Sequence, residues 1–83
     1  MEHYLIIARS VTYAQRMQKT LARGGIRCQI FRAPRELTEL GCAYAVQIYR
    51  TDLVSALTLL HRERLDPVQI YLEQQGFYRE VSP

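Results

Sequence analysis

The chain has 83 residues, of which 48% are apolar and 23% charged, and its net charge is +3. This length predicts one domain spanning 1–83 and excludes a deep substrate cavity enclosed by the chain alone. The core is expected at about 3–73, followed by a loosely ordered polar tail at 74–83. The mild positive charge falls short of the clustered basic stripe that marks a nucleic-acid binder.

The first half of the chain predicts a strand, a helix and an edge strand. The run Tyr4-Leu5-Ile6-Ile7-Ala8 is rich in strand-forming apolar residues and is typical of a buried central strand. Ser10 is a good N-cap for the helix that follows, and Gly24-Gly25 supplies its C-terminal stop. Apolar and polar residues then alternate from Ile26 to Arg32, which predicts a half-buried edge strand that ends at Pro34.

A loop leads from this edge strand into a third strand. Pro34 to Leu40 is predicted as a loop or a single helical turn that is too short and too charged to bury much. Alternation from Cys42 to Tyr49 then indicates the third strand. On one face of that strand, the small side chains of Ala43 and Ala45 imply a group packed closely over them.

The remaining elements complete an α+β fold. A second helix is expected to have its cap at Thr51 or Asp52 and to end at Asp66-Pro67, and Val68 to Glu73 alternate as a last strand. The order strand, helix, strand, strand, helix, strand is the split βαβ (βαββαβ) arrangement of ferredoxin-like folds. The expected architecture is a four-stranded antiparallel sheet with two helices on one face.

Cys42 is the candidate for covalent chemistry. In the predicted topology it begins the third strand, beside the end of the first strand and the start of the first helix. Helix amides and nearby arginines favour a thiolate, which can attack sulfur or selenium electrophiles. The cargo-accepting thiol is therefore predicted to be Cys42, and the residues predicted to bind the anion are Arg9, Ser10, Thr12, Arg35 and Gly41.

Each of these assignments has a plainer structural explanation. Cys42 could equally be a small buried hydrophobe at the start of a strand. Arg35 could be a solvated loop residue that pairs with Glu36 or Glu39, and helix capping alone accounts for Ser10.

The other thiol and the histidines are not expected to take part. Cys28 is predicted to be a core residue that does not react, and its position inside a strand argues against a disulfide with Cys42 at a strand end. His3 and His61 are too far from Cys42 to serve as a general base, and the spacing of the cysteines and histidines does not suit a metal site. No metal, cofactor or stand-alone enzymatic activity is expected.

Three segments carry a resemblance to a known family. Ser10 with Ala14, the turn Gly24-Gly25-Ile26, and Pro34-Arg35-Glu36-Leu37-Thr38 before Gly41-Cys42 resemble the putative selenium/sulfur carrier protein-like family over roughly residues 4 to 72. This resemblance implies a small bacterial, cytoplasmic protein that carries selenium or sulfur on a cysteine. It also implies a cysteine desulfurase or selenocysteine lyase as donor and a selenophosphate-forming enzyme as acceptor.

The absence of an export signal and of a long apolar run independently predicts a cytoplasmic protein without membrane attachment, whose cysteines stay reduced.

The predicted fold is also that of RNA-recognition domains. There, Tyr4 on the first strand and Tyr44 or Tyr49 on the third would stack bases. However, Leu40 to Gln47 matches the RNP1 pattern poorly, which argues against a nucleic-acid partner.

A third hypothesis is a non-catalytic binding or regulatory module. Its uncovered sheet face would present Tyr44 and Val46, or Ala45 and Tyr49, to a protein partner. A homodimer formed through the edge between Arg27 and Arg32 also stays open.

Overall fold

In a computed structural model, which describes residues 2–37 and 43–81, two helices pack on one face of a five-stranded antiparallel sheet. The strands are β1 His3–Ala8, β2 Cys28–Arg32, β3 Tyr44–Tyr49, β4 Gln69–Gln74 and β5 Phe77–Val81. The helices are α1 Val11–Arg23 and α2 Leu53–Arg62, with short 3₁₀ turns at Arg35–Leu37 and Arg50–Asp52. The predicted α+β class is confirmed.

The strands lie in the order β2-β3-β1-β4-β5, and each neighbouring pair is antiparallel. β1 is central, with Ala8 opposite Tyr44 of β3 and Ile7 opposite Gln69 of β4. β3 lies between β1 and β2. The start of β3 consequently lies beside the end of β1.

The prediction of four strands was wrong, because residues of the expected polar tail form β5. Gln75 and Gly76 have φ angles of 49° and 85°. Two consecutive positive φ angles are what a two-residue type I′ hairpin requires. β5 then pairs with β4 until Val81 lies opposite Ile70.

The start of α1 is as predicted. The backbone N–H of Tyr13 donates a hydrogen bond of 3.2 Å to the Ser10 hydroxyl, which satisfies one of the amides left over at the beginning of the helix. Beyond the other end, Gly25 takes a left-handed conformation at a φ of 81°.

The predicted boundaries of α2 were less accurate. Asp52 is the N-cap residue, but its side chain makes no capping hydrogen bond, because the 3₁₀ turn Arg50–Asp52 runs directly into the helix. α2 ends at Arg62, before the predicted stop at Asp66-Pro67, and Arg64 then turns the chain at a φ of 57°. Within the described residues, no helix combines the length and the apolar character needed to cross a membrane.

Each face of the sheet carries a cluster of buried residues, and different elements cover the two clusters. The helix-side cluster joins residues of α1 and α2 to the sheet and contains Ile6, Met17, Leu21, Val46, Ile48 and Leu60. The opposite cluster contains Leu5, Ile7, Ala33, Leu37 and Ala45. Leu37 is only 7% exposed, so the prediction that its loop buries little was wrong. Leu37 belongs to the same buried cluster as Ala45. This agrees with the prediction that a group packs closely over the small side chain of Ala45.

Candidate functional site

The two residues predicted at the thiol itself, Gly41 and Cys42, lie outside the described parts of the chain. The described residues that border this segment are Leu37 and Ala43. The carbonyl of Ala43 accepts a 3.0 Å hydrogen bond from the N–H of Ala33, which extends the β2–β3 pairing. The backbone is therefore held in place one residue after Cys42 in the sequence.

The beginning of α1 brings three of the predicted residues together. Arg9, Ser10 and Thr12 follow directly on β1, whose last residue, Ala8, is paired with Tyr44 at the start of β3. Arg9 and Thr12 are exposed, whereas the Ser10 hydroxyl is engaged in capping the helix. The positive end of α1 thus lies at the end of the sheet where β3 begins, and the Arg9 guanidinium there lies 5.0 Å from the ring centroid of Tyr13.

Arg35 is held on a different part of the molecule. It is exposed in the 3₁₀ turn Arg35–Leu37, and this turn is fixed to the sheet face opposite the helices. The Tyr71 hydroxyl donates a 3.2 Å hydrogen bond to the carbonyl of Leu37 there. Among residues 2–37 and 43–81, no hydrogen bond or ion pair joins Arg35 to the group at the start of α1.

The described thiol, Cys28, does not show the features of a reactive cysteine. It is half-buried on β2 and packs against the helix-side cluster. Desolvation raises the pKa of the Cys28 thiol above its ordinary value, so the uncharged form is favoured. This agrees with its predicted role as a packing residue.

The tyrosines considered for base stacking do not form a platform. Tyr4 and Tyr44 pack against the helix-side cluster, so they face the helices. Tyr49 is 42% exposed, and its ring lies 5.3 Å from that of His3. The described structure therefore leaves Tyr49 as the one exposed member of this set.

The sheet face proposed for a protein partner is also less open than the sequence predicts. Val46 and Ala45 are fully buried, one on each face. Neither residue can contact a partner unless the fold is disturbed. The prediction was wrong for Val46 and Ala45, whereas Tyr49, the partner of Ala45 in that prediction, is exposed.

One polar cluster on the face opposite the helices was missed. Burial raises the pKa of Tyr78, and the charges of Glu73 and Glu36 raise it further. Burial and the charge of Glu80 likewise raise the pKa of Tyr71. The two aromatic, strand-forming residues Phe77 and Tyr78 directly after Gln75-Gly76 were the signal that could have revealed this strand and Tyr78. In the described ranges, no group of three or more histidine, cysteine and acidic residues is arranged to hold a metal ion.

Comparison with known proteins identifies one family. The family model described as "Putative Se/S carrier protein-like" matches residues 3–72, which confirms the resemblance seen in the sequence. The matched region begins with β1, ends within β4, and includes the start of α1, Arg35 and Cys42. Neither the comparison with curated proteins nor the comparison with solved structures gave a match.

Proposed function

The chain belongs to the family described as "Putative Se/S carrier protein-like", and from this premise we propose that it holds sulfane sulfur or selenium on Cys42 and passes it to an acceptor enzyme. The family match over residues 3–72 is the observation that carries the proposal. The chain would act as a carrier whose cargo is made and consumed by other enzymes, and not as a catalyst itself.

The described residues around the thiol segment support this role. β3 begins beside the end of β1, so the chain near Ala43 lies close to the start of α1 and to Arg9. The amides of a helix N-terminus and a guanidinium group both stabilise an anionic sulfur or selenium. Thr12, in the first turn of α1, is exposed, as a residue that binds such an anion must be, and Arg35 is exposed on the turn that precedes the thiol segment.

The proposed chemistry is an exchange between a thiolate and a persulfide. The Cys42 thiolate attacks the outer sulfur of a donor persulfide, the donor's S–S bond breaks, and the donor cysteine leaves as a thiolate. A new S–S bond then joins that sulfur to Cys42. The number of S–S bonds is unchanged, so no oxidant or reductant is needed, and the proton lost from Cys42 is available to the departing thiolate.

The family also supports a setting and partners for this exchange. A cysteine desulfurase or selenocysteine lyase would supply the cargo, and an enzyme that forms selenophosphate would receive it. Free thiols persist in the cytoplasm, where this chemistry would take place. The order of the first four strands, with two helices on one face, supports assignment of residues 3–74 to the ferredoxin-like arrangement, to which β5 is added.

Intact-mass analysis tests the proposal directly. After incubation with a cysteine desulfurase and free cysteine, the wild-type chain should gain the mass of one sulfur atom. The addition should be reversed by a thiol reductant and absent in Cys42→Ser. It should persist in Cys28→Ser, which is the matched control because it removes the other thiol. No addition to the wild type, or an addition retained in Cys42→Ser, contradicts the carrier function.

A further inference from the structure

Helix α1 carries basic residues that no acidic residue of the same helix balances. α1 contains three basic residues, Arg16, Lys19 and Arg23, and no acidic residue. Its charge of +3 equals the net charge of the whole chain, so the remaining charged residues balance one another. Lys19 and both arginines are exposed and form what we call the α1 basic face.

The α1 basic face borders a concave surface. Its three residues line a groove of about 470 Å³ next to the end of α2, together with Leu65 and Glu63. Glu63 is the one acidic residue among the residues that line this groove, and it lies 3.7 Å from Arg23. Their side chains are 48% and 72% exposed, so this pair is weak and leaves the groove positive.

The three charges of the α1 basic face lie close to one another along the helix. Arg16, Lys19 and Arg23 are separated by three and four residues, so neighbouring positive charges lie on the same side of α1. Like charges at these spacings destabilise a helix, and exposed helices commonly alternate the two signs to avoid this cost. A ligand of opposite charge would relieve the repulsion.

We propose that the α1 basic face docks an acidic segment of a partner protein. Residues 16 to 23 span about 10 Å along the helix axis, which suits a few carboxylates spaced along a peptide or one face of a helix. Arginine supplies most of this surface, and its planar guanidinium can bind a carboxylate through two hydrogen bonds. This inference concerns where a partner binds and does not depend on the reactivity of Cys42.

A protein partner fits better than a nucleic acid. Single-stranded RNA is held by exposed aromatic rings as well as by positive charge. Tyr13 is the aromatic residue of α1, and two guanidinium groups already flank its ring. The Cζ atoms of Arg9 and Arg16 lie 5.0 and 5.9 Å from the ring centroid. Its hydroxyl also donates to the carbonyl of Arg64.

The same contacts give the docked partner a direction. Arg16, Tyr13 and Arg9 connect the α1 basic face to the end of the sheet where β3 begins. A partner seated on the α1 basic face would therefore lie on the same helix whose first turn is beside the start of β3.

Fluorescence anisotropy with a labelled polyglutamate peptide tests the proposal on the full chain. The wild type should bind the peptide at low ionic strength and release it as salt is added. The triple variant Arg16→Gln, Lys19→Gln, Arg23→Gln should bind at least about tenfold more weakly, because the charges that face the peptide are gone. Glutamine is a good helix former, and circular dichroism should show that the variant keeps its helices.

A charge-matched control makes the result specific. The triple variant Arg27→Gln, Arg32→Gln, Arg79→Gln loses the same charge from exposed positions outside α1 and should bind within about twofold of the wild type. Equal weakening in both triple variants would overturn the proposal, as would tighter binding of polyuridine RNA than of polyglutamate, or self-association that competes with the peptide. Cys42→Ser should bind the peptide like the wild type, so failure of this proposal can be told apart from failure of the carrier function.

Discussion

A cysteine reacts through its thiolate, and at the scale of single residues Cys28 has the surroundings of a thiol that stays protonated. It packs half-buried against the helix-side cluster, and its pKa is raised by desolvation. In Cys42→Ser, where Cys28 is the remaining thiol, alkylation by iodoacetamide at neutral pH should be several-fold slower than in the same variant unfolded in denaturant. The rate, followed by mass spectrometry against pH, should give a pKa above the ordinary 9.0.

The same raised pKa predicts how stability depends on pH. Above pH 9.0 the unfolded chain loses the Cys28 proton while the folded chain keeps it, so the free energy of unfolding falls as pH rises. In urea titrations, the free energy of unfolding of Cys28→Ala should fall less with rising pH than that of the wild type, because the variant has no Cys28 thiol to deprotonate. A Cys28 pKa at or below 9.0, or an identical alkaline loss in Cys28→Ala, would show that burial does not control this thiol.

Single-residue predictions from the sequence succeeded where the cause is local. Ser10 caps α1 through an amide three residues away, so the residues that decide the contact are adjacent in the sequence. The surroundings of Arg35 depend on where its turn, Arg35–Leu37, packs. That position is set by the contact between Leu37 and Tyr71 of β4. Such a contact joins residues far apart in the sequence, and local patterns do not determine it.

At the scale of elements, the hairpin between β4 and β5 is the part that the sequence analysis missed. Gln75-Gly76 is a weaker hairpin signal than Asn-Gly or Asp-Gly, although both residues adopt positive φ angles. Gln74, Gln75 and the charged residues that follow also gave the segment the composition of a tail. Pairing with β4, a tertiary effect, decides the conformation here.

The turn can be tested with two substitutions of opposite effect. Gly76→Ala places a Cβ on a residue with a φ of 85° and should lower the free energy of unfolding by about 1–2 kcal/mol. Gln75→Asn creates the preferred Asn-Gly pair and should leave stability unchanged or raise it slightly. Urea denaturation measures both. If Gly76→Ala costs nothing, the described hairpin is not the conformation in solution.

At the scale of the whole molecule, a second buried cluster on the face opposite the helices distinguishes this fold from a simple two-layer arrangement. The helices cover one face, and the segment that contains Ala33 and Leu37 covers part of the other. The sequence patterns identified the helix layer because its apolar residues recur at helical spacing. Leu37 stands alone in a short charged segment, so periodicity could not predict its burial.

Leu37→Ala tests whether this second cluster contributes to stability. The substitution should lower the free energy of unfolding by about 2–3 kcal/mol, the lower part of the range for a buried leucine, because the site lies near the protein surface. Val54→Ala is the control, since Val54 is 77% exposed on α2 and should change stability by less than about 0.5 kcal/mol. Equal effects of the two substitutions in chemical denaturation would mean that Leu37 does not anchor its segment.

The central position of β1 also has a consequence for biosynthesis. β1 pairs with β3 on one side and with β4 on the other, and both partners are synthesised after it. While the ribosome is still adding β3, the apolar residues Leu5 to Ala8 have neither of their final neighbours in place. The sheet can close only after translation has passed the second helix and reached β4, so β1 must wait for both of its partner strands and stays open to other strand pairings until then.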